Sequence, residues 1–358
     1  MHFVDRTVKS GFWVSILILS MNMLQGQDAQ FSQFYGSPMY LNPALTGSHS
    51  GTYRLMSSYR TQWHGAIEQP FTTFVAGGDI KFTLRNKKGS YSGGNDRAAV
   101  GMQFFSDRVG LFDYNTNHIS AFGAYHKLLG THTYLSGGFQ LGLGQRGINY
   151  EDLTFQDQYN GVDQFTQPTA ESLPSNSIGY GDLSIGIHIA TQPATDKGFY
   201  LGVAYHHFNK PNTSFFDRDL SIGEEFLPFT IDPKLTLHGG FSVRRSRLLA
   251  IQPRAIFIKQ GQASSTIVGS NLKYNFIDLD RVALHLGGWI RATDNLTTYQ
   301  PTDLIISAGF EQRRLLIGFS YDYHLRDISG SSLSQNTFEL TISFIGEHEN
   351  EDRICPEF

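Results

Sequence analysis

Strict alternation of apolar and polar side chains is the feature that most limits what this sequence can fold into. From Asp182 to Ile189 every odd position is Leu or Ile, whereas the even positions are Asp, Ser, Gly and His. A period of two is that of a β-strand with one apolar and one polar face. The same pattern returns over 234–243, 281–291, 315–324 and 338–344. Repeated segments of this kind predict an all-β fold.

The polar faces of these segments decide between a soluble sandwich and a membrane barrel. They carry mostly Gly, Ser, His and Tyr with few charges, whereas the solvent-exposed face of a sandwich is rich in Lys, Glu and Thr. Charged residues are only 17% of the chain, against roughly 25% in soluble domains. Each segment spans about nine to eleven residues, the length of a tilted strand that crosses a bilayer. Beyond the N-terminal apolar run no stretch approaches a spanning helix, so membrane insertion is by strands.

The number of segments and the links between them favour a closed barrel. We count about 14 strands between Arg54 and Phe344, an even number as in bacterial single-chain barrels. Short and long links largely alternate, and the longest are Tyr150–Tyr180 and Asn209–Asp232. Two links break the alternation and could each mark a miscounted strand: Arg85–Arg97 is long and Gln260–Ser264 is short. We therefore predict a transmembrane antiparallel β-barrel of about 14 strands, in contact with the lipids of the cell outer membrane.

The two ends of the chain set the predicted domain boundaries. Arg6 and Lys9 precede a mostly apolar run that ends near Gly26, as in a secretory signal. We predict a cleaved signal peptide over 1–26, a periplasmic or plug-like segment over 27–53, the barrel over 54–345 and a periplasmic tail over 346–358. The single cysteine, Cys355, excludes an internal disulfide and every multi-cysteine metal site.

The segment between the signal and the first strand is unusually aromatic. It reads QDAQFSQFYGSPMYLNPALTGS and has no strand period. Exposure of so many aromatic side chains to solvent is unfavourable, so we expect the segment to pack into the periplasmic mouth of the barrel or onto a partner. The candidate partner-binding residues are Phe31, Tyr35, Tyr40, Asn42 and Pro43.

Few features of the sequence indicate chemistry. The chain carries 28 Lys and Arg against 32 Asp and Glu, a net charge of −4, which argues against a nucleic-acid partner. It contains neither HExxH nor GxSxG. The alternation predicts that five histidines point into the lumen, where polar networks are the simpler role than metal binding. We therefore predict no catalytic site, cofactor or metal. These histidines are His188, His206, His238, His285 and His324.

Several blocks of sequence, in order, resemble one family. Together with the aromatic N-terminal block they make the chain similar to the PorP/SprF family of type IX secretion system membrane proteins, over nearly the whole mature chain. One departure is Trp63-His64, where Trp-Pro is usual in the family. The blocks are YRTQW at 59–63, FFSDRVG at 104–110, LTFQDQ at 153–158, HHFNKPNTSF at 206–215, KLTLHGGF at 234–241, GFSYDY at 318–323 and CPEF at 355–358.

The resemblance implies a role in protein secretion. Members of the family are outer-membrane barrels of Bacteroidota, and some act beside surface adhesins used in gliding motility. The implied partners are periplasmic type IX secretion components and a secreted or surface protein with a C-terminal sorting domain. We expect a non-enzymatic component that supports export or surface attachment through loop and periplasmic contacts. The loop residues Phe155, Asp157 and Gln158 are the candidates for the surface contact.

A second function stays open at this point. The barrel could instead be an outer-membrane channel or a hydrophobic-compound transporter. Four charged residues, Arg254, Arg281, Arg291 and Asp322, would then form a charged constriction in the lumen. The aromatic N-terminal segment favours the secretion role, because a simple pore does not need it.

Overall fold

The computed structural model describes residues 27–347 except positions 65–66, 68, 85–94, 111–112, 131, 151–152, 172, 192–196, 216–228, 278, 280, 295–297 and 326–334. The predicted signal peptide lies outside the described residues. So do Cys355 and all but the first two positions of the predicted C-terminal tail.

The described residues form fourteen antiparallel strands that close into one barrel, as predicted. Each strand pairs with its sequence neighbours, and the barrel closes where β1 pairs with β14. Each strand is 10–15 residues long, enough to cross a bilayer with a tilt. The strands are β1 Tyr53–Gln62, β2 Phe71–Thr83, β3 Arg97–Val109, β4 Tyr114–Leu128, β5 Thr133–Gly147, β6 Ser177–Thr191, β7 Lys197–His206, β8 Lys234–Arg244, β9 Leu249–Gln260, β10 Ala263–Phe276, β11 Val282–Asp294, β12 Tyr299–Gln312, β13 Leu315–His324 and β14 Thr337–Gly346.

Among the described residues, helical structure is limited to short turns. One α-helical turn, α1, covers Pro38–Leu41, and 3₁₀ turns cover Phe34–Gly36, Pro43–Leu45 and Gln156–Gln158. Pro38 and Pro43 each stand at the first position of their turn, where the missing N–H costs nothing. In the part of the chain that the structure describes, no helix has the length and apolar character needed to cross a membrane.

The two faces of the wall follow the alternation of the sequence. In β6, Ile185 and Ile187 are 50% and 56% exposed on the outside, whereas Asp182 and Ser184 are buried on the inside. The same division holds in β8, where Phe241 is exposed outward. Exposed apolar side chains on every strand thus form the surface that faces lipid.

The connections divide the barrel into two ends. We call the end where Tyr53 pairs with Gly346 the terminal end, and the opposite one the loop end. The long links 148–176 and 207–233 lie at the loop end. Both exceptions to the alternation are real and neither is a miscounted strand: residues 84–96 form a long link at the terminal end, and β9 turns into β10 at the loop end through Gly261, whose φ is +57°.

The N-terminal segment runs along the inside of the barrel. Asp28 lies at the loop end, where it contacts Lys234, the first residue of β8, and Gln260, the last residue of β9. Near the terminal end, the Gly47 N–H donates to Asp79 of β2 over 2.5 Å. The segment therefore extends through the lumen and not only into one mouth. Its apolar core is the cluster of Phe34, Leu41, Leu45, Ile256, Ile267, Trp289 and Ile305.

Candidate functional site

We call residues 27–50 the plug, and its centre is fixed by one asparagine. Asn42 is fully buried, and its side-chain nitrogen donates to the carbonyls of Ile187 at 3.1 Å and Val203 at 3.2 Å. The same nitrogen lies 3.1 Å from Nε2 of His238, and its oxygen accepts from the Ala44 N–H at 2.9 Å. A single side chain thus ties the plug to three adjacent strands, β6, β7 and β8.

Glycines on the inner wall make room for this contact. A Cβ on Gly138 of β5 would lie 2.5 Å from the backbone of Pro43 and Ala44, and a Cβ on Gly186 of β6 would overlap Asn42. These distances are well below van der Waals contact, so only glycine lets the plug come this close. Gly138 and Gly186 therefore shape the surface of the inner wall against which the plug packs.

Buried ion pairs hold the loop-end half of the plug. The carboxylate of Glu339 accepts the backbone N–H groups of Ser32 at 2.7 Å and Gln33 at 2.9 Å, and lies 3.1 Å from Nε of Arg60. Beside it, the guanidinium of Arg291 lies 3.1 Å from Asp322 and also donates to Ser32 Oγ. Each buried charge has an opposite charge, which is the condition under which such charges are tolerated.

The four charged residues expected to line a channel do not form a constriction. Arg291 and Asp322 are both bound to the plug residue Ser32. The guanidinium of Arg254 lies 4.5 Å above the ring of Tyr35. Arg281 lies outside the lumen, in the turn between β10 and β11 at the terminal end. The expectation of a four-residue constriction was wrong, because alternation does not show that the lumen is already occupied or where a strand ends.

The candidate partner-binding residues of the plug all lie in the lumen. Phe31 is 5% exposed and meets Tyr40 edge to face, with ring centroids 5.6 Å apart. Tyr40 stacks on Phe105 of β3 at 5.3 Å and donates its hydroxyl to the carbonyl of Ala29. Tyr35, Asn42 and Pro43 likewise face the inner wall. Whether any of them binds a partner stays a prediction.

A cavity of about 370 Å³ lies on the loop side of the plug, against the inner wall of β3–β8. On the plug side it is bounded by Asp28, whose carboxylate lies 2.5 Å from Lys234 Nζ and 2.8 Å from His207 Nε2. Burial raises the pKa of Asp28, but the charges of Lys234 and His207 outweigh burial and hold that pKa well below its usual value.

His207 carries a positive charge between two acids. Burial lowers its pKa, but the charge of Asp28 and hydrogen bonds with Asp182 and Asp28 outweigh burial and raise that pKa to about 9. His207 Nδ1 lies 2.7 Å from Asp182 Oδ1 on the wall. Protonated His207 therefore links the plug to β6 at neutral pH.

The wall of this cavity could not be predicted from the sequence. Its polar side chains come from six adjacent strands, and they include Gln103 of β3, His118 of β4, Arg146 of β5 and Asp182 of β6. The signal that places Asp182 inside is the alternation of β6, but the sequence does not show which residues of β3–β5 stand beside it. This grouping depends on the strand register.

The wall includes a Ser, a His and an Asp, but these do not form a hydrolase triad. His118 Nδ1 lies 3.0 Å from Ser120 Oγ, whereas His118 Nε2 is 3.8 Å from Asp182, beyond hydrogen-bond distance. Asp182 is bound instead to His207. Among the described residues, no three His, Cys, Asp or Glu side chains converge as metal ligands do.

The long β5–β6 loop presents the candidate surface residues. Asp157 accepts the Ala170 N–H at 2.6 Å and the Thr169 hydroxyl at 2.9 Å, and Gln158 Oε1 accepts the Phe155 N–H at 2.8 Å. The backbone hydrogen bond accepted from Ala170 lowers the pKa of Asp157. Phe155, Asp157 and Gln158 therefore brace the base of the loop.

Beyond this base the loop folds into a small hairpin. The Asn160 side chain accepts the N–H groups of Val162, Asp163 and Gln164 at 2.9–3.1 Å. This bracing exposes apolar side chains at the tip, and Val162 is 79% and Phe165 49% exposed. The tip, which sequence analysis did not single out, is the more accessible surface.

The family is decided by comparison with known proteins. The family model described as type IX secretion system membrane protein PorP/SprF matches residues 23–344. The chain belongs to the PorP/SprF family. This PorP/SprF protein is thus a membrane component of the type IX secretion system, as the resemblance predicted. A search of curated proteins finds no significant match.

Solved structures of outer-membrane barrels resemble this chain at low identity. A deletion mutant of the TodX monoaromatic hydrocarbon channel shares 9% identity at a TM-score of 0.51, covering 86% of this chain and 93% of the other. The Pseudomonas aeruginosa FadL homologue shares 12% identity at a TM-score of 0.47, covering 86% and 94%. The likeness concerns the barrel fold alone. A PorP/SprF chain with this barrel lies in the outer membrane.

Proposed function

We propose that this PorP/SprF protein is a non-enzymatic accessory that supports export or surface attachment of secreted proteins, such as gliding adhesins, through protein contacts. The observation that carries the proposal is the filled lumen. Plug residues contact the wall from β1 and β14, through Ser58 and Glu339, to β8 and β11, through His238 and Trp289. With the lumen occupied, the surfaces offered to other proteins are the loop end and the terminal end.

The β5–β6 loop is the proposed contact for the exported protein. In outer-membrane barrels the long loops face the cell exterior and the short turns face the periplasm. The exposed apolar tip, Val162 and Phe165, is held by the loop's own hydrogen bonds, so little conformational entropy is lost on binding. The terminal end is the proposed site for periplasmic secretion components.

The channel or hydrophobic-compound transporter is the rival function. It requires the plug to leave its seat, and the buried contacts of Asn42 and Glu339 oppose that movement. A purified protein that conducts steadily in planar bilayers without any change to the plug would favour the channel over the accessory role.

Affinity purification from detergent-solubilised outer membranes tests the proposal. The tagged wild type is expected to retain a large secreted protein or periplasmic secretion components. Replacing Val162 and Phe165 by Ser is expected to release the surface protein while the periplasmic components stay bound. Gln167→Ala, an exposed polar change in the same loop, is the matched control. Recovery of the barrel alone from wild-type membranes would overturn the proposal.

The candidate base residue Phe155 gives a second, milder test. Phe155→Ala is expected to reduce retention of the surface protein because it removes a half-buried side chain from the base of the loop, while the barrel still inserts and stays heat-modifiable. Normal retention would remove Phe155 from the proposed contact.

A further inference from the structure

Four side chains that line the cavity on the loop side of the plug each carry a buried polar atom that makes no hydrogen bond with any described residue. These atoms are Gln103 Oε1, Arg146 Nε, and His118 Nε2 and Asp182 Oδ2, which lie 3.8 Å apart, too far for a hydrogen bond with each other. Gln103 is only 4% and Asp182 only 1% exposed. A buried polar group without a partner costs about 1–3 kcal/mol, and such groups are rare in native proteins. Their concentration around one cavity indicates a polar occupant.

The side chains that bear these atoms are held in place by other contacts. Asp182 Oδ1 lies 2.7 Å from His207, and Arg146 Nη1 donates to the Thr213 hydroxyl at 2.8 Å. His118 is fixed through its other ring nitrogen by Ser120 at 3.0 Å. The unpaired atoms therefore belong to side chains whose positions are set before any ligand arrives, as in a preformed binding site.

Flat aromatic faces line the same space. Tyr180 lies beside the His118 ring, with centroids 5.9 Å apart, and 5.7 Å from the Arg146 guanidinium. The stacked rings of Tyr40 and Phe105 bound the plug side. Planar walls favour a flat or ring-shaped ligand, and about 370 Å³ lies within the usual range of small-molecule pockets.

The charges of the cavity restrict the ligand further. Asp28 is paired with Lys234 and His207, and Asp182 with His207. The other charged side chains of the lining, Arg146, Asp107 and Asp232, are of both signs, so the site does not favour a ligand of one particular charge. A hydrocarbon would leave the unpaired donors and acceptors without hydrogen bonds, and each unpaired group would reduce the binding free energy. A hydroxyl group both donates and accepts, so it can meet carboxylate, amide and imidazole atoms alike.

We propose that this cavity binds an uncharged ring compound with several hydroxyl groups, about the size of one or two sugar rings. The hydroxyls bond to Asp182, Gln103 and His118, and one face of the ring lies against the aromatic wall. This assignment is independent of the secretion role, because it concerns the lumen and not the surfaces offered to proteins.

Saturation-transfer NMR on the purified full barrel tests the site. The protein is held in an amine-oxide detergent, because glycoside detergents would compete. The probes are methyl β-glucoside, N-acetylglucosamine and lactose, with toluene as the apolar ring and benzoate as the charged ring. At least one hydroxylated probe is expected to receive saturation at 10 mM, and toluene and benzoate are not.

Matched variants place the signal in the cavity. Asp182→Asn and Gln103→Leu are each expected to weaken binding at least tenfold. Ser184→Ala is the control, since Ser184 has a buried, unpartnered hydroxyl on the same strand as Asp182 but does not line the cavity. Heat-modifiability verifies that each variant is folded.

Three results would overturn the proposal. The first is no transfer to any hydroxylated probe at 50 mM, and the second is transfer only to toluene or benzoate. The third is equal binding by wild type, Asp182→Asn and Gln103→Leu.

Discussion

A single methyl group at Gly138 should loosen the plug. The Cβ of an alanine there would lie 2.5 Å from the backbone of Pro43 and Ala44, whereas carbon atoms in ordinary contact are about 3.5–4.0 Å apart. Because the clash is with backbone and not with a flexible side chain, the plug must retreat by about 1 Å. Asn42, one residue away in the plug, then loses the geometry of its bonds to β6 and β7.

The expected magnitude follows from the cost of overpacking. An added methyl in a close-packed site costs about 1–3 kcal/mol. If that cost falls on the docked plug alone, the population of undocked plug rises about 5-fold to 150-fold. The stability of the wall should not change, because backbone hydrogen bonds between neighbouring strands hold it together.

Hydrogen exchange measures this population directly. The N–H groups of Leu41, Asn42, Leu45 and Thr46 are bonded within the plug and should exchange about 5-fold to 150-fold faster in Gly138→Ala. Amides of the strands should be unaffected and serve as the internal reference.

The adjacent glycine supplies the control. Gly137 faces outward on the same strand, and a Cβ there meets nothing within 4 Å. Gly137→Ala therefore makes the same chemical change to β5 without touching the plug. Equal protection of the plug in the two variants would refute the close contact between β5 and the plug.

Further predictions follow from the contacts of the plug and the loop. Asn42→Ala leaves two buried carbonyls without their side-chain donor, so the free energy of undocking the plug should fall by about 1–3 kcal/mol and plug amides should exchange faster. Unchanged exchange would contradict the role of Asn42. The pKa of His207 rises from its ordinary 6.5 to about 9 in the docked state, so its stabilisation is complete below pH 6.5 and is lost as pH rises through 9. Plug protection should fall over that window in the wild type and vary less in His207→Gln; identical pH profiles would exclude His207 as the link. Asp157→Ala should speed proteolysis within the β5–β6 loop without altering heat-modifiability, and an equally resistant loop would show that Asp157 does not brace it. In planar bilayers the wild type should stay closed and Gly138→Ala should show openings, whereas equal conductance would mean that the plug does not close the lumen.

Local pattern was enough to predict the wall of the barrel. Asp182 and Ile185 fall on opposite faces simply because successive side chains of a strand point to opposite sides. The strand count survived the two irregular links because each strand carries its own alternation, whatever the length of the link beside it. Family membership could likewise be predicted, since its motifs are short and ordered along the chain.

The path of the plug could not be predicted in the same way. Aromatic composition indicates that Phe31 and Tyr35 are packed, but not against what. The partners are distant in sequence: Ser32 bonds to Glu339, 307 residues away. Such contacts depend on closure of the whole barrel, and no local period encodes them. The cavity could not be predicted for the same reason, because Gln103 and Asp182 come to line one cavity only through the register of four strands.

Closure of the barrel and docking of the plug are physically coupled. β14 pairs with β1 to complete the wall, and its Glu339 also receives the N–H groups of Ser32 and Gln33. Glu339 lies 3.1 Å from Arg60 of β1, so the ion pair spans the seam itself. With β14 unpaired, Arg60 would face the lumen without this partner and the loop-end half of the plug would lose its anchor. With the plug absent, Glu339 would keep Arg60 but lose two backbone donors. Each event therefore stabilises the other, and docking of the plug strengthens the seam between β1 and β14.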